Sequence, residues 1–443
     1  MEFSVPMLLG NIAQQLYNTA DSVIVGLYVG DNALAAVGSA SPILNLLLAL
    51  FVGISTGAGI VVSQSFGARD REGLSKAIGN CISLTFIATV VIMFIGPIIT
   101  RPLLNLLDTP ASIMEWCADY LKIYFFGIIG FFFYNMLSGI LRGLGDSVSA
   151  LGFLLLAAAL NVVLDLYFVA SQGMGVAGVS LATVIAQAIS AVFCFLKLMK
   201  MREHFTLNKA AVKLKKETAL RIITIGIPSG ITQAIMSTSM MIVQSLTNAM
   251  GEMVIAANVI IMRVDGFAMM PNFSFGQAMS VYTGQNVGAG KWKRVQQGVR
   301  QGSLIAQSFA VVIVAILLFL NTYLFGIFTE TEALIELASK MMTIMAAGYI
   351  AISVNQVLGG VMRGAGNTMT PMWISVISTV VLRIPVAYGI AYFTRSPAYP
   401  HGHPYALSIS LLVSWVLGMI MTVIAFRYGK TRKLILAKIA EEE

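Results

Sequence analysis

Ala150-Leu-Gly-Phe-Leu-Leu-Leu-Ala-Ala-Ala-Leu-Asn-Val-Val-Leu-Asp-Leu-Tyr-Phe-Val-Ala170 contains one charged side chain, Asp165, and one amide, Asn161. A helix of roughly 20 residues crosses a hydrocarbon core of about 30 Å, so the stretch is long enough to span a bilayer. In lipid the backbone polar groups have to be satisfied within the segment or in a closed barrel, and this run lacks the period-2 alternation of barrel strands. It therefore reads as a transmembrane helix with two polar groups inside it.

Runs of the same kind fill the rest of the chain. Of 443 residues, 57% are hydrophobic and 11% charged, with a mean hydropathy of +0.84. Soluble domains carry roughly a quarter charged residues, so no aqueous fold could hide this much apolar surface. With Gly, Pro and charge as punctuation, further spans are expected near Pro6–Tyr28, Ala33–Ser63, Ala77–Thr100, Trp116–Leu141 and Gly175–Leu198. A basic linker follows over 199–221, and then spans near Ile222–Met250, Met253–Thr283, Gly302–Phe325, Ala338–Met362, Met372–Phe393 and Tyr405–Phe426. The expectation is an all-α polytopic membrane protein of about twelve helices, with an N-terminal six-helix lobe over 1–198 and a C-terminal lobe with a short tail over 222–443. No basic region precedes the first apolar stretch, so a cleaved signal peptide is not expected.

Loops after even-numbered spans, with the tail, hold 22 of the 28 Lys and Arg residues. Lys- and Arg-rich loops stay cytoplasmic, so both termini should be cytoplasmic in a plasma-membrane protein. Anionic headgroups account for the net charge of +8, and no nucleic-acid partner is called for. Cys81, Cys117 and Cys194 form no CxxC pair and read as small packing residues. No GxxxxGK[ST] loop occurs. Gly173-Met-Gly-Val-Ala-Gly178 matches GxGxxG only by letter, with no strand before it, and suits close helix packing. No nucleophile and base pair stands out, so an enzyme is not expected.

The halves repeat. Ser63-Gln-Ser-Phe-Gly-Ala68 pairs with Gly284-Gln-Asn-Val-Gly-Ala289, and Arg142-Gly-Leu-Gly-Asp146 with Arg363-Gly-Ala-Gly-Asn367, both at a separation of 221 residues. Each motif follows an even number of spans in its half, which implies repeats of the same topology and a cleft between two lobes.

On these paired motifs the chain resembles the multidrug and toxic compound extrusion (MATE) family. The resemblance runs from about Pro6 to the last span. It implies two six-helix lobes around a central cavity and alternating access driven by a proton or sodium gradient. The chain is most similar to the DinF-like branch, which has a proline in the first span with an aspartate fifteen residues on, matched by Pro6 and Asp21. That branch also has an asparagine and an aspartate four apart in the fifth span and a threonine in the sixth, matched by Asn161, Asp165 and Thr183. Acidic residues of the NorM-like branch in spans seven and ten are missing; Gln233, Gln244, Asn355 and Gln356 stand in those spans.

Intramembrane carboxylates are costly unless paired or hydrated, so Asp21 and Asp165 are the first functional candidates. Gln14, Tyr17 and Asp21 form one polar stripe, and Asn161 with Asp165, like Thr183 with Gln187, are stacked at i, i+4. Carboxylate, amide and hydroxyl oxygens together suit sodium, and the two carboxylates equally suit a shared proton; the alternative is a packing network of polar helix contacts. No other cofactor is expected. Aligning Asn161-Val-Val-Leu with Thr379-Val-Val-Leu382 sets Asp165 opposite Arg383, which assigns ion coupling to the first lobe. Arg263 and Asp265 should face different ways, each with a structural partner. Met236, Met240, Met241, Met262, Met269 and Met270 either pack a core or line an adaptable binding surface. Gln14, Tyr17, Gln187, Gln233, Met240, Asn355, Gln356 and Arg383 are the candidate substrate-cavity residues. Pro6 reads either as a hinge of the first helix or as an ordinary first-turn proline. The expected function is monomeric, cation-coupled export of small amphipathic or cationic organic compounds. The alternative is a flippase for lipid-linked saccharides or another lipid-like substrate.

Overall fold

A computed structural model of the chain describes residues 4–106 and 109–442, without the side chains of 4, 16–18, 22, 31, 32, 34, 42, 46 and 442. The chain forms two compact units, Met1–Gly230 and Ile231–Glu443. The first contains α1 (Ser4–Tyr28), α2 (Asp31–Gly67), α3 (Arg71–Leu106), α4 (Ala111–Phe126), α5 (Ile128–Gly143), α6 (Ser147–Asp165) with a π-helical continuation Leu166–Ser171, α7 (Gly175–Lys200), α8 (Lys209–Val212) and the start of α9 (Lys216–Ala249). The second holds the rest of α9, then α10 (Glu252–Gly288), α11 (Trp292–Phe319), α12 (Asn321–Gly326), α13 (Glu332–Ala346), α14 (Gly348–Gly364), α15 (Met369–Val376) with a π-helical segment Ile377–Leu382, α16 (Arg383–Phe393), α17 (Tyr405–Tyr428) and α18 (Lys430–Glu442).

Among the described residues nine helices are individually long and apolar enough to cross a membrane. The count rises to eleven when the pairs α4–α5, bent by 53°, and α13–α14, bent by 45°, each serve as one span. The 25-residue α1 makes a twelfth. Residue placement on α3 follows from lipid as solvent: Phe86, Ile87, Phe94 and Ile98 are exposed, whereas Gly79, Asn80, Thr85, Thr89, Gly96 and Thr100 are buried. Apolar chains cost nothing against lipid tails, so small and hydroxyl residues turn inward and let helices approach. The Thr85 and Thr100 hydroxyls are satisfied by donating to the carbonyls of Cys81 and Gly96, at 2.7 and 2.8 Å.

The repeat is carried by close helix crossings. A methyl group added at Gly139 or Gly143 of α5 would sit 3.0 or 2.7 Å from the backbone oxygens of Ser55 or Gly59 on α2. At Gly360 or Gly364 of α14 it would sit 2.3 Å from those of Gly276 or Ser280 on α10. The second set lies 221 residues after the first. Turns repeat as well: Gly30 and Gly251 have φ of 101° and 100°, and Gly145 and Gly366 have 98° and 88°, a region where a Cβ is strained. The Arg-Gly-x-Gly motif is thereby explained as a crossing glycine followed by a left-handed turn. Its last residue then caps the next helix, Asp146 accepting from the Ser149 N–H at 2.9 Å and Asn367 from the Thr370 N–H at 3.3 Å. Burial opposes the charge on Asp146, but Ser149 and Lys197 more than offset that and hold its carboxyl below the usual carboxylate range.

The basic linker is not a free tether, and the boundary between units falls inside α9 rather than at 221/222. Phe205 is fully buried, Ser83 donates to the Val212 carbonyl at 2.5 Å, and the Lys215 N–H donates to Asn80 at 2.8 Å. Arg221 donates to Gln64 of the first Gln-x-x-Gly-Ala segment at 2.6 Å. Gly226 and Gly230 lie against Gly53 and Gly57 so closely that a Cβ at Gly53 would fall 2.2 Å from the Gly230 nitrogen.

Gly364→Ala should destabilise the protein by about 1–3 kcal/mol, because the backbone at Ser280 has to move. Gly152→Ala, with nothing within 4 Å of the new methyl group in the middle of α6, should be neutral or stabilising by up to about 1 kcal/mol. Thermal unfolding of the two purified variants in detergent measures the difference.

Candidate functional site

Three helices of the first unit meet at polar side chains. Asp21 comes from the middle of α1, Asn161 and Asp165 from adjacent turns of α6, and Thr183 from α7. Asn161 and Asp165 have no solvent exposure and Thr183 is buried. The carboxyl groups of Asp21 and Asp165 lie within hydrogen-bonding reach of each other. Asn161 clamps them. With its amide nitrogen toward the carboxylates, the orientation its surroundings dictate, it donates to Asp21 Oδ1 at 2.5 Å and to Asp165 Oδ2 at 3.1 Å. Its oxygen then accepts from the Thr183 backbone N–H and hydroxyl, each at 3.3 Å.

The four residues expected to couple an ion are thus brought together, and the spacing shows why. Asn161 and Asp165, four apart on one helix face, converge on a third residue from α1. The π-helical turn begins immediately after Asp165, an irregularity that occurs often at functional sites. Asp165 Oδ1 and Gln187 Oε1 are buried with no protein partner among the described residues. Two carboxylates this close, Asp165 fully buried and Asp21 half-buried, repel each other, and a positive charge between them would relieve that repulsion.

Sequence reading missed Tyr120 and Tyr124 of α4, which lie near enough to interact electrostatically, Tyr120 with both aspartates and Tyr124 with Asp21. Their i, i+4 spacing was the available signal, but nothing local says that α4 lies near these aspartates. Gln14 is half-buried on α1, and the Tyr17 side chain lies outside the described residues. Pro6 is the third described residue of α1, in its first turn, where proline is well tolerated.

A cavity of about 680 Å³ lies wholly within the second unit. It contains Gln233, Met240 and Arg383 of the expected set, but not Asn355 or Gln356. Asn355 instead accepts a hydrogen bond from Thr422 and ties α14 to α17. Of the six methionines singled out in sequence, Met236, Met240, Met241, Met262 and Met269 line this cavity and Met270 does not; Met341 and Met345 of α13 join them. Asp265, expected to have a structural partner, has one: the Tyr349 hydroxyl donates to it at 2.5 Å. It also lines the cavity. Arg263 is exposed.

Ser147–Ser171 and Met369–Phe393 are both 25 residues long. The π-helical segments fall at different points, after Asp165 in one unit and before Arg383 in the other, so the two spans do not repeat residue for residue.

Polar groups converging inside membrane-spanning helices, in two units built on one repeated scaffold, define a membrane transporter rather than an enzyme. The MatE family model matches the chain twice, over residues 6–167 and 228–389, and the chain belongs to that family. It is 28% identical over 420 residues to "Probable multidrug resistance protein YoeA" of Bacillus subtilis, covering 93% of this chain and 91% of that protein. It is 26% identical to "Probable multidrug resistance protein NorM" of Thermotoga maritima, covering 98% and 90%. Its fold matches a crystal structure of MATE in the bent conformation with a TM-score of 0.89 at 23% identity, covering 99% of this chain and 95% of that one. The match extends through both units, in agreement with twelve helices in two six-helix lobes.

Asn161→Leu should lower stability by about 2–3 kcal/mol, since two hydrogen bonds to carboxylates are lost and their repulsion is unscreened. Asp21→Asn in the same background should restore part of that loss, which unfolding in detergent would show. Additive losses would mean that the three side chains do not act as one unit.

Proposed function

We propose that this transporter exports small, amphipathic or cationic organic compounds and draws its energy from a cation that enters the site formed by Asp21, Asn161, Asp165 and Thr183. The observation that carries the reading is the Asn161 clamp across the buried Asp165 carboxyl and the half-buried Asp21 carboxyl. A single positive charge brings the pair from two negative charges to one and removes their mutual repulsion, and its arrival and departure switch the cost of keeping the site away from water. An ion with such a differential cost shifts the balance between conformations, as alternating access requires. Its relatives named as multidrug resistance proteins support the export of organic molecules.

Between the two ions the geometry favours a proton. The carboxylates and the Thr183 hydroxyl offer oxygens that suit sodium, but Asn161 presents its N–H₂ to the carboxylates and turns its oxygen toward Thr183. A sodium ion shared by both aspartates would meet an amide donor unless that side chain turned over. A flippase for lipid-linked saccharides is disfavoured because a pyrophosphate needs several cations, and the cavity of the second unit holds one, Arg383, alongside Asp265. Positive-inside loops support cytoplasmic termini in the plasma membrane. The chain is taken to work as a monomer.

Purified protein in liposomes, loaded with a fluorescent organic cation, should move it under an imposed pH gradient and not under a sodium gradient alone. Transport driven by sodium would overturn the proton assignment, and transport indifferent to both gradients would overturn coupling itself. Asp21→Asn should abolish gradient-driven transport with insertion intact. Asp165→Ala should likewise lose it, whereas Arg383→Ala should retain at least about half, because the second unit has no carboxylate pair at the corresponding place; equal losses in folded protein would contradict the assignment to the first unit.

A further inference from the structure

The cavity of the second unit is chemically unlike the carboxylate site. Its volume of about 680 Å³ is in the range that takes a drug-sized molecule. Seven methionines, with Phe273, Leu407, Leu411 and Trp415, supply an apolar wall that adapts to shape. One strong donor is set into it. Arg383 follows the π-helical segment at the start of α16, and its Nε–H is buried without a hydrogen-bond partner among the described residues. A buried guanidinium short of partners is costly, and Arg383 lines the cavity, where a planar anion matches a guanidinium with geometry that few other groups share. Asp265 interacts with Arg383 electrostatically but does not close an ion pair with it, and the Tyr349 hydroxyl already occupies one of its oxygens. The acid thus tempers the charge of the arginine without filling its hydrogen-bonding edge.

We infer that this cavity is a second binding site, which takes an amphipathic molecule carrying one carboxylate, with the carboxylate on the Arg383 guanidinium and the apolar body against Met240, Met269 and Trp415. The inference concerns binding alone and stands independently of ion coupling in the first unit. It widens the cargo beyond cations.

The test uses the full chain in phosphatidylcholine nanodiscs at pH 7.5 and three probes of similar apolar body: 1-pyrenebutyrate, the neutral 1-pyrenebutanol and the cationic 1-pyrenemethylamine. Binding is read as energy transfer from tryptophan to pyrene, with protein-free discs as background. The acid should bind about tenfold or more tightly than the alcohol, the strength of a charged hydrogen bond in a dry site, and the amine should bind most weakly. Arg383→Gln should remove the preference for the acid while changing alcohol binding less than twofold, and Arg383→Lys should restore part of it. Trp415→Phe should cut the energy transfer by more than half. An alcohol or amine that binds wild-type protein as tightly as the acid overturns the proposal without any variant. So does a preference for the acid that survives Arg383→Gln, or energy transfer unchanged by Trp415→Phe.

Discussion

Two carboxyl groups in hydrogen-bonding contact inside a helix bundle cannot both carry a full negative charge without a counter-charge, and the first unit is organised around that constraint. α1 and α6 each bring one aspartate to the same place. Asn161 spends both of its N–H donors on the pair, and Thr183 holds the back of the amide, so the geometry of the carboxyl groups is set by neutral groups. Nothing in this arrangement cancels the charge. On the proposed reading the compensating positive charge comes from outside, as a bound proton or cation.

The scaffold that holds the site is older in design than the site itself, in the sense that it occurs twice and the chemistry once. Crossing glycines, left-handed turn glycines and helix caps recur through both units at a constant separation, because backbones in lipid approach closely only where side chains are small. On that shared frame the corresponding spans carry different groups. One has Asn161 beside two acids, and the other has Arg383 with a single acid engaged by Tyr349. The two units thus carry opposite electrostatics on one fold.

Much of this was legible in the residues. Hydropathy revealed the helices, and the paired Gln-x-x-Gly-Ala and Arg-Gly-x-Gly segments revealed the repeat, because motifs that build turns and crossings sit at fixed distances along the chain. Asp21, Asn161, Asp165 and Thr183 were legible because polar atoms are rare in such a sequence and their spacing placed them on inward faces. What remained hidden depended on contacts between distant helices. Tyr120 and Tyr124 of α4 lie close enough to feel the carboxylates electrostatically, Tyr349 reaches Asp265 across the second unit, and the linker packs against α3; no local pattern encodes those approaches. The π-helical segments were hidden for a further reason, since such a segment shifts side chains around a helix without altering its hydropathy. Asn355 was placed in the cavity on polarity alone, whereas its amide serves Thr422.

The central claim is that Asp21 and Asp165 hold one positive charge between them. Infrared difference spectroscopy between acid and alkaline conditions, on purified protein in nanodiscs, detects the stretching band of each protonated carboxyl group and so tests it directly. The account predicts, apart from any band of Asp265, one carboxyl band that is shifted or lost in both Asp21→Asn and Asp165→Asn, since the proton belongs to the pair. Two separate bands, each removed by only one of the substitutions and unmoved by the other, would contradict it.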